Sequence, residues 1–198
     1  PDVDGVGDNY VRPGIVHRLD REASGLLVVA RTQEMFEHLK AQFKERTVYK
    51  EYLVLVHGVV EPDDDTIDFD IDRGKDGRMV ARPKTDFLKL KNVGKELGGK
   101  NALSTFTVEN RFVRYSFLKV RIHTGRMHQI RVHLFAYGHP VVGDKLYDNK
   151  KLLKKHDIDL GRLFLHAYKL SFRDRSGEEK NFQIGLPDEL QNYMDSLV

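Results

Sequence analysis

Hydrophobic positions recur at helical spacing in two segments of the chain. In residues 33–46 they follow Thr32, a residue type that caps helix N-termini, and basic residues collect in the last turn. In residues 127–137 the same spacing ends at Gly138, a typical helix-terminating residue, shortly before Pro140. Pro187 favours the first turn of a third, short helix that reaches about residue 194.

Other segments are rich in β-branched and aromatic residues and predict strands: residues 49–60, 102–108, 117–123, 163–172 and 180–184. A continuous apolar run over residues 26–30 predicts a short buried strand. Residues 72–100 are rich in Gly, Lys, Arg and Asp, and predict exposed hairpins or loops. Because strands outnumber helices and mostly follow one another, the predicted fold class is α+β, with a mixed, largely antiparallel sheet and flanking helices.

Composition narrows the classes of protein that are compatible with this pattern. The chain has 198 residues, enough for one sizeable domain, and it contains no cysteine. The lack of cysteine excludes disulfides, thiolate nucleophiles and cysteine-based metal sites. No apolar run is long enough to cross a membrane, and the first residues show no signal-peptide pattern. We therefore expect a cytoplasmic protein that makes no membrane contact.

Basic residues are grouped rather than evenly spread. The net charge is only +3, which by itself is weak evidence for a nucleic-acid partner. Clusters that mix basic residues with aromatics or histidines occupy residues 111–115, 123–133 and 145–155. Such a distribution is compatible with contact along a phosphate backbone.

Asp20 lies in the first segment that could carry chemistry, residues 17–27. An aspartate beside Arg18 and Arg21 is usually only a surface charge. Here it directly precedes the predicted buried strand, where side chains are held rigidly and remain accessible. The neighbouring Ser24 and Gly25 do not complete the G-x-S-x-G pattern of serine hydrolases. Asp20 is therefore the candidate reactive group of this segment.

Three histidines, His123, His128 and His133, are spaced five residues apart in a second segment. Metal binding is disfavoured, because this spacing alternates faces on a strand and separates side chains by roughly 140° on a helix. The alternative is a polar surface that presents Arg126 and Arg131 near a helix start. Guanidinium groups in that position suit carboxylate or phosphate recognition.

Two further segments are unremarkable when taken singly. Residues 138–147 read Gly-His-Pro-Val-Val-Gly-Asp-Lys-Leu-Tyr and could be a connection, and residues 162–167 could be a core strand with one histidine. Taken together and in order, these segments resemble the RluA-type family of pseudouridine synthases. The matching stretches are His-Arg-Leu-Asp and the Ser-Gly-Leu-Leu that follows it, Gly-Arg-Met-His-Gln-Ile-Arg-Val-His, the 138–147 segment, Leu-His-Ala and the tyrosine segment at residues 49–56.

The resemblance covers residues 13–187, with two departures. Ala23 stands where the family often has Thr, which concerns loop hydrogen bonding. A strand-rich segment with a Lys-Pro motif, which normally precedes His-Arg-Leu-Asp, is missing, as is the small RNA-binding domain of many members. Residues 1–198 are therefore interpreted as one pseudouridine synthase catalytic domain that is incomplete at its N-terminus.

The family resemblance implies an RNA-modifying isomerase without a cofactor or a metal. It assigns the catalytic carboxylate to Asp20, a stacking and proton-handling role to Tyr52, and an ion-pairing role to Arg131. We expect Arg131 to pair with Asp20 in a bidentate manner. Whether Asp20 attacks C1′, adds to uracil C6 or removes a proton from C2′ is left open by the sequence.

The same resemblance implies a set of RNA-binding residues. Arg18 would fill the gap left by a flipped-out base, and Arg126 would bind a backbone phosphate. His17 and His128 complete this RNA-binding set. The expected partner is structured RNA, with ribosomal RNA ahead of transfer RNA, and the expected state is a monomer.

Two other functions compete with this interpretation. A non-catalytic RNA-binding module would keep the basic surface, but it would not need Asp20, Tyr52 and Arg131 together. A glycoside hydrolase also cleaves a bond at C1′, but such enzymes normally use two carboxylates, and only Asp20 stands out here. Pseudouridine formation on uridine-containing RNA would exclude a non-catalytic RNA-binding module, and release of free uracil would identify a glycoside hydrolase.

Overall fold

A computed structural model of the chain describes residues 3–83, 99–148 and 159–197. Within these ranges it contains nine strands and three helices: β1 (Ser24–Gly25), α1 (Gln33–Glu45), β2 (Tyr49–His57), β3 (Asp64–Ile67), β4 (Phe69–Arg73), β5 (Met79–Pro83), β6 (Ser104–Arg111), β7 (Tyr115–Ile122), α2 (Gln129–Ala136), β8 (Leu165–Arg173), β9 (Glu179–Gln183) and α3 (Asp188–Asp195). No helix in the described ranges has both the length and the apolar character needed to span a membrane.

Seven strands form one sheet in the order β1-β8-β2-β7-β6-β3, with β9 paired to β8. The β1–β8 pairing is parallel and the other pairings of this sheet are antiparallel. Strands β4 and β5 form a separate hairpin, as predicted for part of residues 72–100, but this hairpin is not exposed as expected, because Ala81 is buried in the main core. The prediction for residues 84–98 lies outside the described residues. The predicted α+β class with a largely antiparallel sheet is confirmed.

Strand β2 is covered on both faces, so every residue from Tyr52 to His57 is buried. Tyr52, Val54 and Val56 belong to the main core cluster, to which α2 contributes its apolar side chains. On the opposite face Leu55 packs with Leu190 and other side chains of a second cluster that includes α3. Alternate residues of this strand therefore face different apolar clusters, and all of them are buried because helices cover both faces of the sheet.

Helix α1 begins as its sequence predicts. The Thr32 side chain accepts a hydrogen bond from Met35 N at 3.2 Å, and the helix ends at Arg46, whose φ of 63° is left-handed. Phe36 and Leu39 pack with β8 in a third apolar cluster. This packing fixes the C-terminal end of α1 close to the start of β2.

The strand predicted over residues 26–30 is wrong, because the strand lies just before this segment. Strand β1 is Ser24–Gly25, and Leu26 adds one hydrogen bond from its backbone N to Ala167 O at 2.9 Å. At Gly25 φ is +117°, and a Cβ there would lie 2.3 Å from Ala167 O. The chain then leaves the sheet, and Leu27 and Val29 are each 40% exposed. The apolar run arises because alternate residues, Leu26 and Val28, pack on the cluster around α1.

Candidate active site

A cleft of about 620 Å³ opens between the loop before β1, the C-terminal end of α1, the start of β2 and the segment that leads into α2. Asp20 and Tyr52 line it, and Asp20 is the one carboxylate among the described lining residues. Its lining is otherwise rich in cations, namely Arg18, Lys44, Arg46, Lys50 and Arg126. The cleft therefore suits a polyanionic ligand, one group of which can lie against the Asp20 carboxylate.

The loop that carries Asp20 is held on both sides. Before it, His17 accepts a hydrogen bond at Nε2 from Val28 N at 3.0 Å, and its ring stacks on Phe43 at a centroid distance of 4.7 Å. After it, Ser24 Oγ lies 2.9 Å from His166 Nδ1 on β8. The Asp20 side chain keeps 19% of its surface exposed, so a fixed loop presents it at the wall of the cleft.

Arg131 reaches Asp20 from within the protein. It lies on α2 with only 10% of its side chain exposed, and its Nη1 donates to Asp20 Oδ2 at 3.3 Å. Its Nε and Nη2 instead donate to Asp144, to Oδ2 at 2.6 Å and to Oδ1 at 2.9 Å. The predicted bidentate pairing of Arg131 with Asp20 is therefore wrong. The planar fork binds Asp144, because both oxygens of that buried carboxylate face it, and only the third nitrogen reaches Asp20.

Asp144 is a fully buried anion held by four donors. Besides the two from Arg131, its Oδ1 accepts the backbone N–H groups of Leu146 at 2.9 Å and Tyr147 at 3.0 Å. Burial raises the pKa of Asp144, but hydrogen bonds and charge from Arg131, with these backbone donors, outweigh burial and lower the pKa overall. Asp144 stays ionised and holds Arg131 in place.

Tyr147 closes this network on its other side. The Arg131 guanidinium lies 5.2 Å from the Tyr147 ring centroid, a cation–π distance. The Tyr147 hydroxyl accepts from Met79 N at 3.1 Å and lies 3.0 Å from His128 Nδ1. Burial lowers the Arg131 pKa, yet contacts with Asp144 and Asp20 raise it overall, so the cation remains charged beside Asp20.

Tyr52 contributes an uncharged ring and hydroxyl to the cleft. Its side chain packs in the main core cluster and is only 9% exposed. Burial raises the pKa of Tyr52, and the negative charge of Asp20 raises it further. The hydroxyl is therefore neutral at physiological pH, which suits it to hydrogen bonding and stacking.

The three evenly spaced histidines do not converge. His123 Nε2 lies 3.1 Å from Thr105 Oγ1, while His133 bonds to Ser104 Oγ and Phe69 O, both at 3.0 Å. His128 adopts a left-handed conformation with φ of 55° directly before α2, so the helix starts two residues later than its apolar spacing predicts. Among the described residues, no group of His, Asp and Glu is arranged to hold a metal ion.

The structure brings the predicted RNA-binding residues to the same cleft. Arg18 is exposed there, and Arg126 lines it while its Nε donates to Asn101 O at 2.9 Å. His17 and His128 also line the cleft, although each imidazole already has the internal partner described above. Their roles in RNA binding stay predictions.

The basic clusters seen in the sequence differ in their position. The cluster at residues 123–133 reaches the cleft, whereas Arg111 of another cluster is held by Val60 O and the Asp63 carboxylate. Most of the third cluster falls on residues 149–158, outside the described residues. Sequence reasoning missed the cleft cations Lys44, Arg46 and Lys50, which no motif marks, and Asp144, which the matched 138–147 segment contained.

Comparisons with known proteins identify relatives over nearly the whole chain. The family model described as RNA pseudouridylate synthase matches residues 5–136. A Bacillus subtilis protein named as an uncharacterized RNA pseudouridine synthase is 36% identical over 99% of this chain and 59% of its own length. Ribosomal large subunit pseudouridine synthase D of Neisseria meningitidis is 38% identical over 94% of this chain and 48% of its own length. The chain thus spans about half the length of these curated relatives.

Solved structures agree with the sequence relatives. Human RNA Pseudouridylate Synthase Domain Containing 4 is 26% identical, with a TM-score of 0.74 over 92% of this chain and 75% of that one. Human RNA Pseudouridylate Synthase Domain Containing 1 is 29% identical, with a TM-score of 0.71 over 88% of this chain and 68% of that one. The fold and the sequence therefore point to the same group of proteins.

Proposed function

This chain belongs to the RNA pseudouridylate synthase family, and from that premise we propose that it isomerises uridines in RNA to pseudouridine with Asp20 as the catalytic carboxylate. One observation carries the assignment of the residue. Asp20 is the one carboxylate among the described residues of a cation-lined cleft, and a buried arginine donates to it at 3.3 Å. A carboxylate that faces a cleft beside a specific charged partner is a candidate for a functional role.

The chemistry breaks the bond between uracil N1 and C1′, turns the base, and joins C5 to C1′. C5 then releases its proton to solvent, and N1 takes one up, so the product is an isomer of uridine. Attack on C1′, addition to uracil C6 and proton removal from C2′ all require the ionised carboxylate. Arg131 donates a hydrogen bond to the Asp20 carboxylate, and Asp144 keeps Arg131 oriented. Neither a redox change nor an external group is needed, so the proposal includes no cofactor.

The uridine must leave its stacked position to reach Asp20. Tyr52 offers a neutral aromatic ring at the cleft wall, on which a free uracil can stack. Arg18 is exposed at the same cleft, where its planar guanidinium can occupy the space left in the RNA. Base flipping with these two residues is the access step of the proposed reaction.

Ribosomal RNA is the proposed substrate, ahead of transfer RNA. The support is the similarity to Neisseria proteins named as ribosomal large subunit pseudouridine synthase D. The cleft itself is compatible with either RNA, because its cations recognise phosphate, which is common to both.

The test uses unmodified transcripts of large-subunit ribosomal RNA and of transfer RNAs, each incubated with the protein. Pseudouridine is then mapped at single-nucleotide resolution. The proposal predicts product in the ribosomal transcript at one or a few sites. Product in the transfer RNAs alone would reassign the substrate class.

The same incubations separate the two other candidate functions. Tight RNA binding without product in any transcript would favour a non-catalytic RNA-binding module. Free uracil in the supernatant, with abasic sites left in the RNA, would indicate hydrolysis at C1′ instead of isomerisation. A mock incubation without protein provides the background for both readouts.

A further inference from the structure

Lys50 is a cation of the cleft that has no anionic partner among the described residues. It lies on β2 two residues before Tyr52, so both side chains lie on the same side of the strand, and both line the cleft. Lys50 is half-buried, yet among the described residues it forms no ion pair and no hydrogen bond. A partly buried charge without an anionic partner costs free energy.

The surroundings of Lys50 are basic and aromatic. Its ammonium lies 5.6 Å from the Phe43 ring centroid, and a Cβ added at Gly125 would lie 3.8 Å from Nζ. Gly125 and Lys50 both line the cleft, so the ammonium lies at the cleft wall. Burial, together with the nearby positive charge of Arg46, lowers the pKa of Lys50 to about 8.

Lys44 and Arg46 line the cleft beside Lys50. Cations at the end of a helix such as α1 are favoured by the helix dipole, which gives these two residues an explanation of their own. That explanation does not extend to Lys50, which lies on a strand and is repelled by Arg46. Lys50 is thus the cation of this group that neither an anionic partner among the described residues nor the helix dipole accounts for, and the exposed Lys44 and Arg46 lie beside it.

We propose that Lys50, with Arg46 and Lys44, forms a subsite for one RNA backbone phosphate next to the target uridine. The identity of the anion rests on the proposed function, since RNA is the substrate that brings phosphates into this cleft. A uracil on Tyr52 leaves its neighbouring backbone near residue 50, because adjacent same-side residues of a strand are only about 6–7 Å apart. Lys50 thereby places the nucleotide relative to Asp20.

The first experiment measures fluorescence anisotropy of labelled decauridylate with four proteins: wild type, Lys50→Met, Lys50→Arg and Lys75→Met. Lys75 is an exposed lysine of the β4–β5 turn that does not line the cleft, so it is the matched control. Lys50→Met is expected to raise Kd about tenfold, as for loss of a charge-assisted hydrogen bond. The slope of log affinity against log salt should fall by about 0.7, the value for one single-strand phosphate.

Lys50→Arg keeps the charge and should bind decauridylate like the wild type. If Lys50→Met shows the same Kd and salt slope as Lys75→Met, the subsite is overturned. Binding by Lys50→Arg that is as weak as that of Lys50→Met would also overturn it, because a phosphate accepts either cation at this level of contact.

A second experiment uses the wild-type protein, so it does not depend on how a variant folds. The Lys50 pKa is followed by NMR of lysines labelled at Cε, without and with saturating decauridylate. Bound phosphate should raise the pKa well above its free value of about 8. The groups that face Lys50 are Arg46, His17 and His123, and both histidines have lowered pKa values, so neither titrates in this range. An unchanged Lys50 pKa in the complex would contradict the proposal.

These results are separable from those of the proposed function. Weakened binding by Lys50→Met without any pseudouridine from wild type would leave the subsite standing and remove the isomerase. Pseudouridine formation by wild type, together with unchanged RNA binding by Lys50→Met, would support the isomerase and overturn the phosphate subsite.

Discussion

Arg131 binds both carboxylate oxygens of Asp144, through Nε at 2.6 Å and Nη2 at 2.9 Å, and reaches Asp20 Oδ2 with Nη1 alone at 3.3 Å. The buried carboxylate therefore orients the arginine, and the arginine in turn faces the carboxylate in the cleft. Asp144 acts on Asp20 through Arg131, which makes it a positioning residue.

Asp144→Asn tests this relationship. The asparagine keeps the shape but loses the charge, and Arg131 is left as a poorly compensated buried cation. We expect the free energy of unfolding to fall by about 3 kcal/mol, the lower end for breaking a buried ion pair. Turnover should fall at least tenfold while Kd for decauridylate stays close to that of wild type, measured at a temperature where the variant is folded.

The control for this variant is Asp64→Asn on the exposed strand β3. It removes the same charge far from Arg131 and should change neither stability nor turnover. If Asp144→Asn lost stability but kept the wild-type kcat, Asp144 would support the fold without positioning Arg131.

Arg131→Lys keeps the charge and removes the fork. A lysine cannot satisfy both oxygens of Asp144 and also reach Asp20, so we expect single-turnover rates to fall by one to three orders of magnitude, or about 1.4 to 4 kcal/mol. Arg126→Lys is the matched comparison. Its Nε bonds only a backbone carbonyl, so it should lose less activity. Equal rates for the two lysine variants would argue against a special role for Arg131.

Much of the fold follows from local signals in the sequence. Helix α1 could be predicted because Thr32 caps it and its apolar side chains repeat at helical spacing. The apolar run at residues 26–30 misled because the spacing of Leu26 and Val28 is the same for a strand and for an extended chain packed on a helix. Whether this segment forms a strand depends on its pairing with β8, and the local sequence carries no information about that pairing.

The site was predictable only in part. The family resemblance selected residues that the fold does bring together, including Asp20, Tyr52 and Arg131. It did not show that the guanidinium of Arg131 makes its bidentate contact with Asp144. Which carboxylate receives this contact depends on how the loop after α2 lies relative to the loop before β1. Lys50 was not predicted, because a lysine at the start of a strand is usually exposed. It is half-buried here because Phe43 and Gly125, which are distant in the sequence, lie against it.

The buried histidine His133 should make stability sensitive to acid. Burial lowers its pKa to about 4, and it is 0% exposed, with both ring nitrogens bonded. Above about pH 6.5, its unfolded value, its full contribution is present. As pH falls toward 4, His133 becomes protonated in the unfolded chain but not in the folded protein, so the free energy of unfolding falls by on the order of 3 kcal/mol.

Urea unfolding of wild type and His133→Gln between pH 7 and pH 4 checks this expectation. The variant is less stable at pH 7, but its loss of stability on acidification should be smaller than that of wild type. His17, whose pKa is also lowered to about 4, supplies a residual dependence in both proteins. Parallel pH curves for the two proteins would show that His133 is protonated equally in the folded and unfolded states.

The most direct test of the whole interpretation is tritium release from RNA labelled at uridine C5, compared between wild type and Asp20→Asn. The substitution keeps the side-chain shape, and Arg131 retains Asp144, so the fold and the RNA affinity should persist. We expect wild type to release tritium and Asp20→Asn to release none above background, with decauridylate Kd within about tenfold. Residual turnover above about 1% of wild type, a loss of under about 2.7 kcal/mol, would contradict the catalytic role of Asp20.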